Sequence, residues 1–120
     1  MASEPLARGD VVWVRLDPVE GSEQGGRRPA LVLSPGFINA HSPVVIVAAI
    51  TSRKTEKLYP FEAHLRPPEG GLDEISKVLL MQIRSVDKRR LAGVAGHVGA
   101  QTLDRVDEAL KIAVGLTRLE

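Results

Sequence analysis

The sequence has no cysteine among its 120 residues, which excludes disulfide frameworks, thiolate metal sites and cysteine nucleophiles. That absence fits a reducing compartment, and the cytoplasm is the expected location. Aromatics are scarce at one Trp, one Tyr and two Phe, so the extended stacking surface of a general single-strand binder is not available. No apolar stretch approaches the roughly 20 residues of a membrane span, and the opening MASEPLARGD holds no run of signal-peptide length. Neither membrane insertion nor secretion is expected. An excess of one charge is also missing: 16 Lys and Arg against 15 Asp and Glu leave +1, so a polyanionic partner must be argued from local clusters. His41, His64 and His97 lie far apart without paired ligand spacing, and there is no Walker or dinucleotide signature and no marked Ser-His-acid arrangement. No metal and no cofactor is expected.

What is present is one ordinary globular core, with 43% apolar and 26% charged residues. The chain reads as a single domain over 1–120, long enough to bury a core unaided. Runs rich in β-branched residues predict strands at 11–16, 29–34 and 43–50, with two further strands at 58–65 and 77–86. The unbroken apolar character of 43–50 predicts a strand buried on both faces or central in a curled sheet. Leu103, Val106, Leu110 and Ala113 recur at spacings of three and four, which predicts an amphipathic helix from Ala100 to Leu116. Several short strands and one terminal helix make a mainly β fold of α+β class, a small, strongly curled β-barrel. Trp13, Phe37, Tyr59 and Phe61 are read as core residues.

Two loops carry chemistry. The glycine-rich EGSEQGGRRP brings Ser22, Glu23, Gln24, Arg27 and Arg28 together just before the second strand. Glycines allow close backbone approach and the arginine fork matches phosphate oxygens, although a solvated hairpin would have the same composition. Thr51, Ser52, Arg53 and Lys54 follow a buried strand directly, with Lys57 three residues on. Hydroxyl and cationic donors at a fixed strand end suit phosphate and sugar contacts, or else a plain solubilising turn. Residues 51–90 hold nine Lys or Arg against six Asp or Glu, and the run Lys88-Arg89-Arg90 is read first as a solvated face.

Taken together, these segments resemble the MazF/PemK family of bacterial toxins. The resemblance rests on RGDVVWVRLDPVEGSEQGGRRPALVLSP at 8–35, VVIVAAITS at 44–52, LYPFE at 58–62 and QIRSVDKRRL at 82–91, four motifs in the family's order. It implies an SH3-like barrel of the CcdB/MazF type, a homodimer, and sequence-selective, metal-independent endoribonuclease activity (an mRNA interferase) on single-stranded RNA. The 2′-hydroxyl next to the scissile phosphate would be the nucleophile, and a cognate antitoxin with an acidic tail would neutralise the enzyme. Position by position, Arg28 and Thr51 match the residues tied to cleavage. Ser22, Glu23 and Gln24 match the GSEQ loop, and Gln82 matches the glutamine of QIR near the groove. Arg27, Ser52, Arg53, Lys54 and Lys57 are expected to contact RNA. Some relatives have an acidic residue where this chain has Met81, which leaves Glu23 as the matching carboxylate for a general base. The alternative is a toxin-fold protein with little or no catalysis that binds RNA, or a protein target as the CcdB-type gyrase binders do; those lack the paired Arg and Thr.

Overall fold

The computed structural model describes residues 5–15 and 26–118. Six antiparallel strands form one sheet: β1 (Asp10–Arg15), β2 (Arg27–Val32), β3 (Val44–Thr51), β4 (Glu62–Leu65), β5 (Ser76–Asp87) and β6 (Leu91–His97). Their order across the sheet is β4-β5-β3-β2-β1-β6. A short helix, α1 (Gly36–Asn39), follows β2, and α2 (Ala100–Ala113) closes the chain.

Two apolar layers explain why β1 and β3 do not alternate cleanly between buried and exposed. On one face Val11, Leu31, Ala48, Ile50, Val78 and Leu80 pack with Val106 and Ala109 of α2. On the other, Val12, Val14, Ala30, Val32, Val45, Val47 and Val86 form a second cluster. Successive strand residues point to opposite faces, so a strand between two apolar layers needs apolar residues at every position. β3 is central, as its composition implies, yet Val44 and Ile46 at its beginning are exposed, because they point to the α2 side, where the apolar layer takes in β3 only from Ala48 on, while Val45 and Val47 on the other face are buried. Truncating a fully buried leucine such as Leu31 or Leu80 would cost about 2–5 kcal/mol.

β2 runs from Arg27 to Val32 rather than over 29–34, which puts Arg27 and Arg28 in the strand instead of the loop before it, and two other boundaries differ from expectation. β4 starts at Glu62 rather than 58 because Pro60 sits in a turn closed by Glu62 N–H to Tyr59 O at 2.9 Å. α2 stops at Ala113, not Leu116. Gly115 has φ +80°, its N–H donates to Ile112 O at 3.2 Å, and Leu116 N–H donates to Lys111 O at 2.7 Å. That pairing is a Schellman stop, which needs a left-handed residue just past the helix. At the other end, Gly99 offers no capping side chain. Glu69 supplies the carboxylate instead, accepting from Gly99 N–H at 2.7 Å and Thr102 Oγ1 at 2.8 Å.

β6 was not anticipated, since LAGVAGH has little β-branched or aromatic content. It forms by pairing with β1, with register shifts between Val11 and Val12 and between Val12 and Val14. Of its two glycines, Gly96 is demanded by close packing. A 3₁₀ turn at Glu69–Gly71 lies backbone to backbone against β6. A Cβ on Gly71 would fall 1.9 Å from Ala95 O, and one on Gly96 would fall 2.5 Å from Gly70 C. This contact curls the sheet so that the segment after β4 meets β6. No ladder joins β4 to β6 among the described residues, so the fold is a curled, barrel-like sheet.

The aromatic reading holds for Trp13, which packs on the α2-side cluster. It fails for Phe37 and Tyr59, 74% and 45% exposed; Phe37 lies on α1 outside both layers, and Tyr59 stacks on Phe61 at 5.5 Å and 3°.

Candidate active site

Arg28 and Thr51 are brought together by register. β2 pairs with β3 as Ala30↔Ala49, Leu31↔Ala48 and Val32↔Val47. Two residues further along that register, Arg28 stands across from Thr51. Arg28 also faces Val14 of β1, and Thr51 faces Lys77 of β5, which in turn faces His64 of β4. One row therefore crosses the sheet on the face away from α2, through His64, Lys77, Thr51, Arg28 and Val14. Directly opposed residues in such a row have Cβ atoms about 5 Å apart.

Both residues line two adjoining hollows. The larger, about 470 Å³, runs over the apolar floor of Ala30, Val47 and Val86 and takes in Gln82 and Arg84. The smaller, about 330 Å³, lies at the strand tips and includes Trp13, Ser52, Arg53, Asp73 and Glu74. Arg28, Pro29, Ile50 and Thr51 belong to both, so they form the partition, with Arg28 and Thr51 its polar groups. Thr51 Oγ1 accepts the N–H of Arg53 at 3.1 Å. That bond fixes the hydroxyl oxygen and leaves its proton to donate to a ligand.

Gln82 reaches the larger hollow through an irregularity in β5. The ladder runs from Val44↔Asp87 to Ala48↔Ile83, then resumes at Ala49↔Leu79. Leu80, Met81 and Gln82 are looped out between the two segments; Leu80 anchors the excursion in the core, Met81 is exposed, and Gln82 turns into the cleft. Bulges of this kind re-aim side chains beside functional sites.

The remaining expected residues fall in different places. Ser52 and Arg53 line the smaller hollow, whereas Lys54 and Lys57 lie on the same segment outside both. Arg27 alternates with Arg28 and lies over the Trp13 ring at 5.1 Å, on the opposite face of β2. Ser22, Glu23 and Gln24 lie outside the described residues. Sequence reasoning missed Arg84, Asp73 and Glu74. Arg84 faces Val47 in the ladder, which only the register reveals.

The run at 88–90 is more than a solvated face. Arg90 donates to Arg15 O at 2.9 Å and Arg15 donates to Arg89 O at 3.0 Å, which stitches β1 to the turn before β6. Asp87 accepts the side chain of Arg89 at 3.0 Å and its backbone N–H at 2.8 Å. These bonds to the charged form lower the Asp87 pKa from 3.8 to about 2. The histidines are structural or exposed: His64 Nε2 meets Thr55 O at 2.8 Å, His97 Nδ1 meets Asp10 at 2.8 Å, and His41 is at the surface.

This arrangement has relatives. Residues 7–114 match the family described as PemK-like, MazF-like toxin of type II toxin-antitoxin system. Over 111 residues the chain is 43% identical to Endoribonuclease EndoA of Bacillus subtilis (strain 168), covering 92% of this chain and 96% of that protein. The crystal structure of MazF from Deinococcus radiodurans superposes with a TM-score of 0.73 at 38% identity, covering 94% of this chain and 99% of that one. A chain in the MazE-MazF crystal structure from the same organism gives 0.76 at 36% identity, covering 97% and 100%. With the paired Arg28 and Thr51, the curled sheet and these matches over nearly its whole length, the chain belongs to the PemK/MazF toxin family.

Proposed function

We propose that the chain is a sequence-selective endoribonuclease that cuts single-stranded RNA without a metal ion, as a single-domain protomer of a homodimer in the cytoplasm. The observation that carries this is the partition of Arg28 and Thr51 between two hollows that a strand could traverse, with the scissile phosphate over the partition. The 2′-oxygen attacks phosphorus, the bond from phosphorus to the 5′-oxygen breaks, and the products are a 2′,3′-cyclic phosphate and a 5′-hydroxyl. The transition state gathers negative charge on its non-bridging oxygens. A permanently charged guanidinium held in place stabilises that charge, and one such donor is worth about 3 kcal/mol. Arg28 has this role. Thr51 donates its hydroxyl to the same phosphate and orients it, with its oxygen held by Arg53 N–H.

Arginine stays protonated at ordinary pH, so the 2′-hydroxyl proton goes elsewhere. Glu23 is the proposed acceptor, and water protonates the departing 5′-oxygen. Ser52, Arg53, Lys54, Lys57 and Gln82 hold the strand on either side, with Ser22 and Gln24 contributing from the segment before β2 and Arg27 from the first position of β2, beside Trp13. Relatives crystallise with MazE, and a cognate antitoxin is the proposed inhibitor here, its carboxylates occupying the phosphate path. No helix of the described residues is long and apolar enough to cross a membrane.

The test is digestion of a long unstructured RNA with chelator present, with the fragment ends mapped. Discrete cuts bearing 5′-hydroxyls are expected, and they should disappear in Arg28→Ala protein that still folds. Intact RNA after prolonged incubation with folded wild-type dimer would overturn the proposal.

A further inference from the structure

The segment from Ser52 to Phe61 leaves Thr51 with no strand or regular helix of its own, yet it carries four of the groups assigned to RNA. Its backbone is held by three side chains on the neighbouring strands. Lys77, the cross-strand neighbour of Thr51, donates its ammonium to Lys57 O at 2.8 Å and to Glu62 Oε1 at 2.8 Å. The same Glu62 oxygen accepts the N–H of Tyr59 at 3.1 Å. His64 Nε2 meets Thr55 O at 2.8 Å and, with a carbonyl as partner, is the donor. Residues 55, 57 and 59 each give one backbone atom to this set. The Tyr59 ring lies over the Lys77 ammonium at 5.8 Å and covers it.

Lys77 and Glu62 are nearly sealed from solvent, with side chains 6% and 8% exposed. A buried ion pair adds little to stability that well-packed apolar residues of similar size would not add. What an apolar pair cannot supply is the two hydrogen bonds to the loop backbone. We infer that Lys77 and Glu62, with His64, form a pedestal that sets the geometry of the 52–61 loop relative to Thr51, and so act as positioning residues for the RNA. The inference rests on the endoribonuclease reading for its effect on cleavage, and on the hydrogen bonds alone for its effect on the loop.

The experiment compares full-length wild type, Lys77→Met and the double variant Lys77→Met/Glu62→Leu. It follows thermal melting, backbone amide exchange over 52–61, and the kcat and KM of cleavage of a defined RNA. The single variant should melt lower, because Glu62 is left buried and unpaired. The double variant should regain the wild-type melting temperature within a few degrees. It should nevertheless show at least tenfold faster exchange at Tyr59 and at least a tenfold loss in kcat/KM. His64→Ala and His64→Gln provide a second pair that does not threaten the core: alanine should speed loop exchange and lower kcat/KM, and glutamine, whose amide can reach Thr55 O, should restore both.

Wild-type exchange in the loop of the folded double variant and of His64→Ala would overturn the inference, whatever the activity. So would wild-type kcat/KM in a double variant whose loop exchanges fast. A wild type that leaves RNA intact would instead overturn the proposed function, while amide exchange still decides whether the pedestal holds the loop.

Discussion

Arg28 and Thr51 sit across from one another at the tips of β2 and β3, and each borders both hollows. Their proposed roles differ in kind, and substitutions should separate them. Arg28→Ala should lower kcat by about 10²–10³, the loss seen for one transition-state donor. Arg28→Lys should recover only part of it, because a point charge lacks the planar fork. Thr51→Ser should stay near wild type, whereas Thr51→Val, equal in shape but without a donor, should lose most of the activity. Single-turnover cleavage at saturating RNA measures each loss, and melting curves within a few degrees of wild type establish that the fold survives.

The proton acceptor can be assigned by comparing three carboxylates. Asp73 and Glu74 line the smaller hollow with Arg28 and Thr51, and Glu23 precedes β2. Glu23→Gln should slow cleavage by about 10²-fold, in the range for general base catalysis. Asp73→Asn and Glu74→Gln should leave kcat within about twofold and strengthen RNA binding, since each removes a negative charge facing phosphate. Full activity in Glu23→Gln with a loss in Asp73→Asn would move the role to Asp73.

Gly71 and Gly96 mark where the sheet is drawn closed. Gly71→Ala combines a left-handed φ of +72° with a Cβ only 1.9 Å from Ala95 O, and Gly96→Ala meets Gly70 C at 2.5 Å. Either should cost about 3 kcal/mol or more and lower the melting temperature by more than about 10 °C. Gly93→Ala has φ +129° but nothing within 4 Å, so it should cost less. Differential scanning calorimetry of the three variants tests the order, and an unperturbed Gly71→Ala would remove the backbone contact from the account of the fold.

Asp87 gives a pH dependence with a definite sign. Its pKa is lowered in the folded chain from 3.8 to about 2 by the Arg89 hydrogen bonds. Its contribution to stability is therefore complete above about 3.8 and is lost as pH falls toward about 2. Asp87→Asn should flatten the stability profile in that window while leaving it parallel to wild type near neutral pH. Urea midpoints measured from pH 5 to 2 provide the comparison.

The strands were legible where β-branched residues cluster, and α2 where apolar residues recur every third or fourth position. β6 was not, because Ala92, Gly93, Ala95 and Gly96 carry no pattern of their own; the strand exists through what β1 and the 3₁₀ turn impose on it. The helix end escaped detection for a related reason, since the apolar spacing continues to Leu116 and only the φ of Gly115 breaks it. Arg28 and Thr51 could be named from motifs, but their juxtaposition follows from the β2–β3 register. Phe37 and Tyr59 show the opposite error: aromatic character suggested burial, and the topology placed them outside both apolar layers.

The three residues looped out of β5 lie between two ladder segments whose alignments are each fixed independently, one by Val44 through Ala48 and the other by Ala49 through Thr51. Leu80 is rooted in the core, but the side chains at 81 and 82 answer to no partner strand. Substitutions there leave both ladder segments, and with them the placement of Thr51, untouched, so in the proposed enzyme the surface offered to a passing base is free to diversify without displacing the group set against the phosphate.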